Sequence, residues 1–269
     1  MKTVLITGAS SGIGKATSKL FSEKGWNVAA TMRKPMEEKE LINFKNIKLY
    51  QLDVTDQDSI KTAIKKVIED FGNIDAIINN AGYAAIGPFE YAGSDTIRKQ
   101  FEINVFGLMA VTHEIIPYFI EKKSGTIVNI ASVAGHIALP SFSLYNSTKY
   151  AIEGFSGSLY FELKPHNIRV KIVEPGPVKT DFYGRSMDNY YKNNDNQNYK
   201  IVENAIKKMD KMGVKGIKPE RVAKTIYKAA TSKSNKINYP VGLKADIMIR
   251  GSRLLPKRWL NGMINMIMS

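Results

Sequence analysis

Tyr145 and Lys149 lie in the segment Ser143-Leu144-Tyr145-Asn146-Ser147-Thr148-Lys149, four positions apart. On a helix that spacing puts both side chains on one face, so the Lys149 ammonium can sit beneath the Tyr145 phenol. A phenol with its ordinary pKa of ~10 exchanges protons poorly at neutral pH. A neighbouring cation favours the ionised form and moves it toward the range where acid/base catalysis works. The chemistry suggested is proton transfer to or from an oxygen. An amphipathic helix whose lysine snorkels to water has the same spacing, so the pair must be weighed with the elements that would position it.

The chain opens on the apolar run Val4-Leu5-Ile6, followed by Thr7-Gly8-Ala9-Ser10-Ser11-Gly12-Ile13-Gly14 and then a helical pattern through Ala16, Leu20 and Phe21. This order reads as strand, glycine turn, helix. Such a turn brings backbone N–H groups and a helix N-terminus to a pyrophosphate. Its spacing, T-G-x-x-x-G-x-G, is longer than the G-x-G-x-x-G of dinucleotide folds. About twenty residues beyond such a turn, NAD-binding chains place an acid for the ribose hydroxyls. Here the second strand ends Thr31-Met32-Arg33-Lys34 with no acid. A guanidinium matches a phosphate, so Arg33 favours NADP(H) over NAD(H).

Strand patterns fall at Thr3 to Thr7, Asn27 to Met32, Ile47 to Leu52, Ala76 to Asn79, Thr126 to Ile130, Arg169 to Glu174 and Lys236 to Tyr239. Helical patterns lie between them at Lys15 to Lys24, Gln57 to Phe71, Thr96 to Ile120, Leu144 to Leu163 and Pro219 to Ala230. The alternation predicts an α/β fold: a doubly wound parallel sheet of the Rossmann type, about seven strands with helices on both faces. No internal repeat or linker divides residues 1–269, so one domain is expected, with a substrate-lid segment at about 182–212 and a C-terminal tail at about 243–269. Ligands of such sheets bind beyond the C-terminal strand ends, where the winding reverses. The glycine turn, Asp53, the Asn79 to Gly82 loop, Ser132 and the Pro175 loop all follow strands and should converge there.

In order and spacing, Thr7-Gly8-x-x-x-Gly12-x-Gly14, Asp53-Val54, Asn79-Asn80-Ala81-Gly82, Asn104, Ser132, Tyr145-x-x-x-Lys149 and Pro175-Gly176 with Thr180 resemble the short-chain dehydrogenase/reductase family over nearly the whole chain. The resemblance implies a carbonyl–alcohol oxidoreductase in which Tyr145 exchanges the proton and Ser132 holds the substrate oxygen. Lys149 would grip the nicotinamide ribose and tune Tyr145, and Asn104 would position a water between Lys149 and solvent. It further implies a cofactor surface of Gly8, Ser10, Ser11, Gly12, Ile13 and Gly14, with Asp53 and Val54 at the adenine and Asn80, Ala81 and Gly82 along the ribose. Tyr145, Lys149, Pro175, Gly176, Val178 and Thr180 would complete it, Thr180 at the carboxamide. Asp53 reads equally as a strand-end turn residue. Relatives assemble through the helices near Thr96 and Leu144, which here carry Phe101, Val105, Leu108, Phe155, Leu159 and Phe161, so a homodimer or homotetramer is expected. The segments Ala30 to Pro35, Tyr239 to Gly242 and Leu255 to Arg258 look like the branch related to 17β-hydroxysteroid and retinol dehydrogenases, which suggests a hydrophobic alcohol or ketone. A β-ketoacyl carrier-type reductase is the alternative enzyme. A non-catalytic NADP-binding regulatory protein is the alternative class, against which the complete Asn104, Ser132, Tyr145, Lys149 set argues.

Composition narrows the rest. The absence of cysteine excludes disulfides and thiolate chemistry, and His113, His136 and His166 have no ligand spacing, so no metal site is expected. The net charge of +14 could serve an acidic partner, but the lysines are dispersed and no nucleic-acid motif is present. No run reads as long and apolar enough for a membrane span and no signal peptide precedes the first strand, so a cytoplasmic protein is expected. In the tail, Trp259, Leu260, Met263, Ile264, Ile267 and Met268 form one stripe at helical spacing, opposite Arg258, Asn261, Asn265 and Ser269. It could pack on the domain, roof an apolar pocket or make peripheral contact with a membrane.

Overall fold

Seven short strands, β1 (Thr3–Ile6), β2 (Asn27–Met32), β3 (Ile47–Gln51), β4 (Ala76–Asn79), β6 (Gly125–Ile130), β7 (Ile168–Pro175) and β9 (Asn238–Val241), pair in parallel in the order β3-β2-β1-β4-β6-β7-β9. The computed structural model describes residues 1–180, 187–190, 203–204, 206–208 and 213–268. Strands β1, β4 and β6 are buried at every position, which is why they read as continuous apolar runs. On one face Phe21 of α1 (Gly12–Glu23) and Val222, Ile226 and Ala229 of α6 (Pro219–Thr231) cover the sheet. On the other lie Ile60, Ile64 and Val67 of α2 (Gln57–Phe71), Val111, Ile115 and Phe119 of α4 (Gly107–Lys122), and Leu159 and Leu163 of α5 (Ser143–Leu163).

The chain winds outward from β1 to β3 and then returns to place β4 on the other side of β1. The crevice between the C-terminal ends of β1 and β4 is therefore the ligand edge. A buried polar chain ties this region to the helices. Asn79 Nδ2 donates to Thr112 Oγ1 and to Asn129 Oδ1, both at 2.9 Å, and Asn129 Nδ2 donates to Ser156 Oγ at 2.8 Å.

Four local expectations need correction. The last strand begins at Asn238 rather than Lys236, because the carbonyls of Ser234 and Lys236 turn to accept from the buried Lys171 Nζ at 2.6 and 2.7 Å. The helix expected from Thr96 to Ile120 is α3 (Ser94–Phe101) and α4 joined through a π-turn at Glu102–Phe106. Taken as one run, Ser94–Lys122 is long and apolar enough to cross a membrane by length and composition. Val111, Ile115 and Phe119 are nonetheless wholly buried against the sheet, as in a core helix. Of the residues expected to meet a partner, Val105, Leu108 and Leu159 are buried in this chain's own core and Phe161 faces outward, as do Phe106 and Tyr150, which were not among them.

Not foreseen were a small second sheet, β5 (Ala84–Ile86) paired with β8 (Met187–Asn189), and the division of the tail into α7 (Leu243–Leu254) and α8 (Lys257–Met268). Most of the expected lid segment lies outside the described residues. Of its described parts, β8 is held by Tyr83 Oη donating to Asp188 Oδ2 at 2.6 Å, and Ile206 is buried against Ala84, Ile86 and Phe142.

Replacing Asn129 by Ala removes the middle of the buried polar chain and leaves Ser156 without its donor. The expected cost is about 1–3 kcal/mol in urea unfolding. A loss below about 0.5 kcal/mol would show that the chain contributes little net stability.

Candidate active site

A cleft of about 1160 Å³ runs along the C-terminal strand edge from Arg33 to the tail. Ser132, at the end of β6, caps the short helical turn Val133–Gly135: its Oγ accepts from Ala134 N at 3.1 Å and donates to Pro175 O at 3.3 Å. Tyr145 and Lys149 reach the same cleft from the first two turns of α5. The two segments are locked together by Asn146, whose Nδ2 donates to Ala134 O and Ile137 O at 2.6 and 2.7 Å.

Lys149 is 6% exposed; its Nζ donates to Ile130 O at 2.9 Å and stands 5.6 Å from the Tyr145 ring centroid. Burial pushes its pKa down to about 8, with the Glu153 carboxylate partly opposing the shift. A cation in such poorly solvated surroundings acts on its neighbours more strongly than one in water. Asn104 sits in the π-turn, a deviation common at functional sites. Its Oδ1 accepts from Tyr83 N at 2.8 Å, and its Nδ2 donates to Tyr83 O at 2.8 Å and Thr148 Oγ1 at 3.1 Å. The side chain thereby clamps the loop after β4 to α5, next to Lys149 in sequence.

The opposite end of the cleft is a backbone cradle. Gly8 has φ +65°, and a Cβ there would stand 2.9 Å from Ala81 Cα. At Gly14 a Cβ would meet Gly8 O at 2.3 Å, so helix α1 can begin against the turn only with glycine. Thr7 Oγ1 accepts from the N–H groups of Asn80 and Ala81 at 3.0 Å, and Asn80 Nδ2 returns to Thr7 O and Gly8 O at 2.9 and 3.1 Å. These bonds fasten β1 to β4 across the crevice. The cleft is lined by every expected cofactor residue except Gly14, which lies behind the cradle: Gly8, Ser10, Ser11, Gly12, Ile13, Arg33, Asp53, Val54, Asn80, Ala81, Gly82, Tyr145, Lys149, Pro175, Gly176, Val178 and Thr180. Asp53 Oδ1 also accepts from Thr55 N and Oγ1 at 3.0 and 2.8 Å, so it is a turn residue that faces the cleft.

Around Arg33 the acids are already matched. Glu37 pairs with Lys34 at 3.0 Å, Glu38 with Lys15 at 2.9 Å, and Glu40 with Lys15 and Lys19. Among the described residues Arg33 has no carboxylate of its own, and it stands exposed at the cleft. A glycine cradle at a helix N-terminus, followed by an uncommitted guanidinium, fits a phosphorylated dinucleotide.

His136, Glu153 and Glu174 were not anticipated as a group, since they are far apart in sequence and His136 alone reads as a loop residue. His136 Nε2 lies 2.6 Å from Glu174 Oε1 and 3.4 Å from Glu153 Oε1, and Asn238 Nδ2 donates to both carboxylates. These ligand-capable atoms fall within 4.8 Å of one another, but 2.6 Å is a hydrogen-bond distance and the cluster is a proton-sharing one. Burial opposes charge on the ring, yet Glu153 and Glu174 outweigh it and push the His136 pKa up to about 9. Burial in turn pushes Glu153 up. Because Glu153 follows Lys149 by one helical turn, the cluster underlies the lysine that lines the cleft.

The wall beyond Tyr145 is apolar: Ile137, Leu139 and Phe142, with Met248 of α7 and Ile264 and Ile267 of α8. The tail stripe is thus divided. Ile264 packs on Phe142 and Ile137 and meets the cleft, whereas Trp259 and Met263 face outward.

A family model described as short chain dehydrogenase matches residues 2–190. The 3-ketodihydrosphingosine reductase of Bacteroides thetaiotaomicron is 31% identical over 258 residues, 96% of this chain and 92% of that protein. The NADPH-dependent 3-dehydrocapnine reductase of Ornithobacterium rhinotracheale is 30% identical over 275 residues, covering 97% and 95%. Among solved structures, a short-chain dehydrogenase from Streptomyces avermitilis superposes with a TM-score of 0.85 at 29% identity, covering 97% of each chain. ElxO with NADP bound superposes with a TM-score of 0.74 at 28% identity, covering 89% of this chain and 96% of that one.

His136 should make stability pH-dependent. Its raised pKa means that the charged ring stabilises the fold fully below its ordinary value of 6.5 and loses that contribution as pH rises through about 9. His136→Gln should therefore lower Tm most in mildly acidic solution, with the gap to wild type closing in alkali. A gap independent of pH would show that the ring is held neutral.

Proposed function

This chain belongs to the short-chain dehydrogenase family, and on that premise we propose that it is an NADP(H)-dependent oxidoreductase that reduces an apolar ketone, with Tyr145 as proton donor. It is an enzyme of the carbonyl–alcohol type. One observation carries the rest of the reading: the buried Lys149 ammonium lies 5.6 Å from the Tyr145 ring in a cleft shared with Ser132 and the glycine cradle.

Bound in the cradle, the dinucleotide would supply the hydride. The residues of the chain orient the reaction and move the proton. Ser132 Oγ and Tyr145 Oη hold the substrate oxygen, and Tyr145 Oη donates its proton as negative charge builds there. Lys149 would stabilise the phenolate left behind and would hold the ribose hydroxyls of the dinucleotide. Since the Asn104 amide is committed to Tyr83 and Thr148, a water relaying protons to Lys149 would be held by its main chain. Arg33 would hold the 2′-phosphate.

The apolar wall supports a hydrophobic substrate, in line with the likeness to 17β-hydroxysteroid and retinol dehydrogenases. The reducing direction is supported by relatives named as reductases of a 3-keto and a 3-dehydro compound. The outward Phe106, Tyr150 and Phe161 support assembly into a homodimer or homotetramer. Light scattering at micromolar concentration should report more than one chain; a monomer would contradict the assembly.

Tyr145→Phe should keep NADPH affinity within about twofold while lowering ketone turnover by roughly two to four orders of magnitude. Arg33→Ala should weaken NADPH by about tenfold or more, as expected for a lost charge-assisted pair, and leave NADH nearly unchanged. Retention of a tenth of wild-type turnover in Tyr145→Phe, with hydride transfer rate-limiting, would remove Tyr145 as donor. Equal losses for both cofactors in Arg33→Ala would remove Arg33 from the phosphate site.

A further inference from the structure

Helix α7 buries one face, α8 half-buries Leu260 and Ile264, and both leave a second apolar face in solvent. In α7, Ala245 and Ile249 pack on Val133 and Ile137, while Leu243, Ile247 and Leu254, at spacings of four and seven, are 71%, 58% and 83% exposed. In α8, Ile264 turns inward, while Trp259, Met263 and Met266 are 66%, 51% and 80% exposed. Two successive outward stripes of large apolar side chains are not what a surface facing only water requires.

The charges beside these stripes identify what covers them. Between residues 243 and 268 stand Lys244, Arg250, Arg253, Lys257 and Arg258 against a single acid, Asp246, which already pairs with Arg250 at 2.9 Å. In α7 the 100° helical step places Arg250 and Arg253 on one side of the Leu243–Ile247–Leu254 stripe and Lys244 on the other. An apolar face flanked by cations, with tryptophan on the following helix, is the pattern of a helix lying in the plane of an anionic lipid surface. A two-fold contact between copies of this chain would set the same cations against one another. Met248, Ile264 and Ile267 of these helices also line the cleft, so whatever covers the outer faces lies beside its apolar end.

We propose that the outward faces of α7 and α8 dock this enzyme on an anionic phospholipid bilayer and that the cleft takes its ketone from that bilayer; the second clause rests on the apolar-ketone reading above. Contact is peripheral: the apolar side chains enter the headgroup boundary while the basic residues meet the phosphates.

The test is flotation of the full chain with vesicles of phosphatidylcholine alone or mixed with phosphatidylglycerol. Wild type should float with the mixed vesicles at least tenfold more than with phosphatidylcholine alone, and less as salt rises. The variant Ile247→Ser/Leu254→Ser/Trp259→Ser, changed only at exposed positions, should lose at least tenfold of that binding while retaining turnover of a short water-soluble ketone, which also reports its folding. Charge reversal by Arg253→Glu/Arg258→Glu should lose the preference for phosphatidylglycerol. No flotation of wild type, or flotation equal in the serine variant, would overturn the docking surface. A wild-type oligomer that the serine substitutions dissociate, with no flotation, would overturn it in favour of a contact between copies. Flotation as expected with no acceleration of an apolar ketone by mixed vesicles would leave the docking surface standing and reject delivery from the bilayer. Flotation with no turnover of any ketone would reject the functional reading on which that delivery rests.

Discussion

A lysine ammonium held almost out of water is the constraint around which the active region is built. Lys149 loses solvent, and its pKa falls to about 8 as a result. Few groups keep it charged: the Ile130 carbonyl at the end of β6 and the Glu153 carboxylate one turn along α5. Everything that fixes α5 against that strand end therefore bears on the lysine. Asn129 and Ser156 join β6 to α5 in the core, Asn146 ties α5 to the Ser132 loop, and Asn104 with Thr148 ties it to the loop after β4. The His136–Glu153–Glu174 cluster lies behind, keeping a carboxylate near the lysine while sharing its own charge with a cationic ring.

The parallel sheet makes this arrangement possible. Its strands end together at one edge, so a glycine cradle after β1, a serine after β6 and the Pro175 loop after β7 open into one cleft although they are far apart in the chain. The close fit of Gly14 against Gly8 and the Thr7–Asn80 bonds keep the cradle rigid. The apolar end is completed later in the chain, by α7 and α8, which leaves a polar cradle and an apolar wall at opposite ends of one groove.

Much of this was legible in sequence because it depends on local signals. Apolar runs buried on both faces announced β1, β4 and β6, and the glycine spacing announced the cradle. The Tyr145–Lys149 step announced a shared helix face, and Arg33 stood out by the absence of an acid. What sequence did not reveal depends on contacts between distant segments. His136, Glu153 and Glu174 meet only through the packing of β7 on α5, and Lys171 captures the carbonyls that delay β9. The pairing of Ala84–Ile86 with Met187–Asn189 spans a hundred residues, with strands too short to show a period. The tail stripe was visible as a stripe, but its division between the cleft and solvent appears only once Phe142 and Ile137 define an inner side.

The central claim is that Lys149 acts on the proton transfer itself and not only on cofactor retention. Single-turnover reduction of an apolar ketone, followed by NADPH absorbance at saturating cofactor in wild type and Lys149→Met, separates the two. The account predicts that the variant remains slower by about a hundredfold or more once its cofactor site is full, in the range attributed to a positioned proton donor. A variant whose hydride-transfer rate returns to that of wild type at saturation would contradict it, leaving Lys149 as a ribose clamp alone.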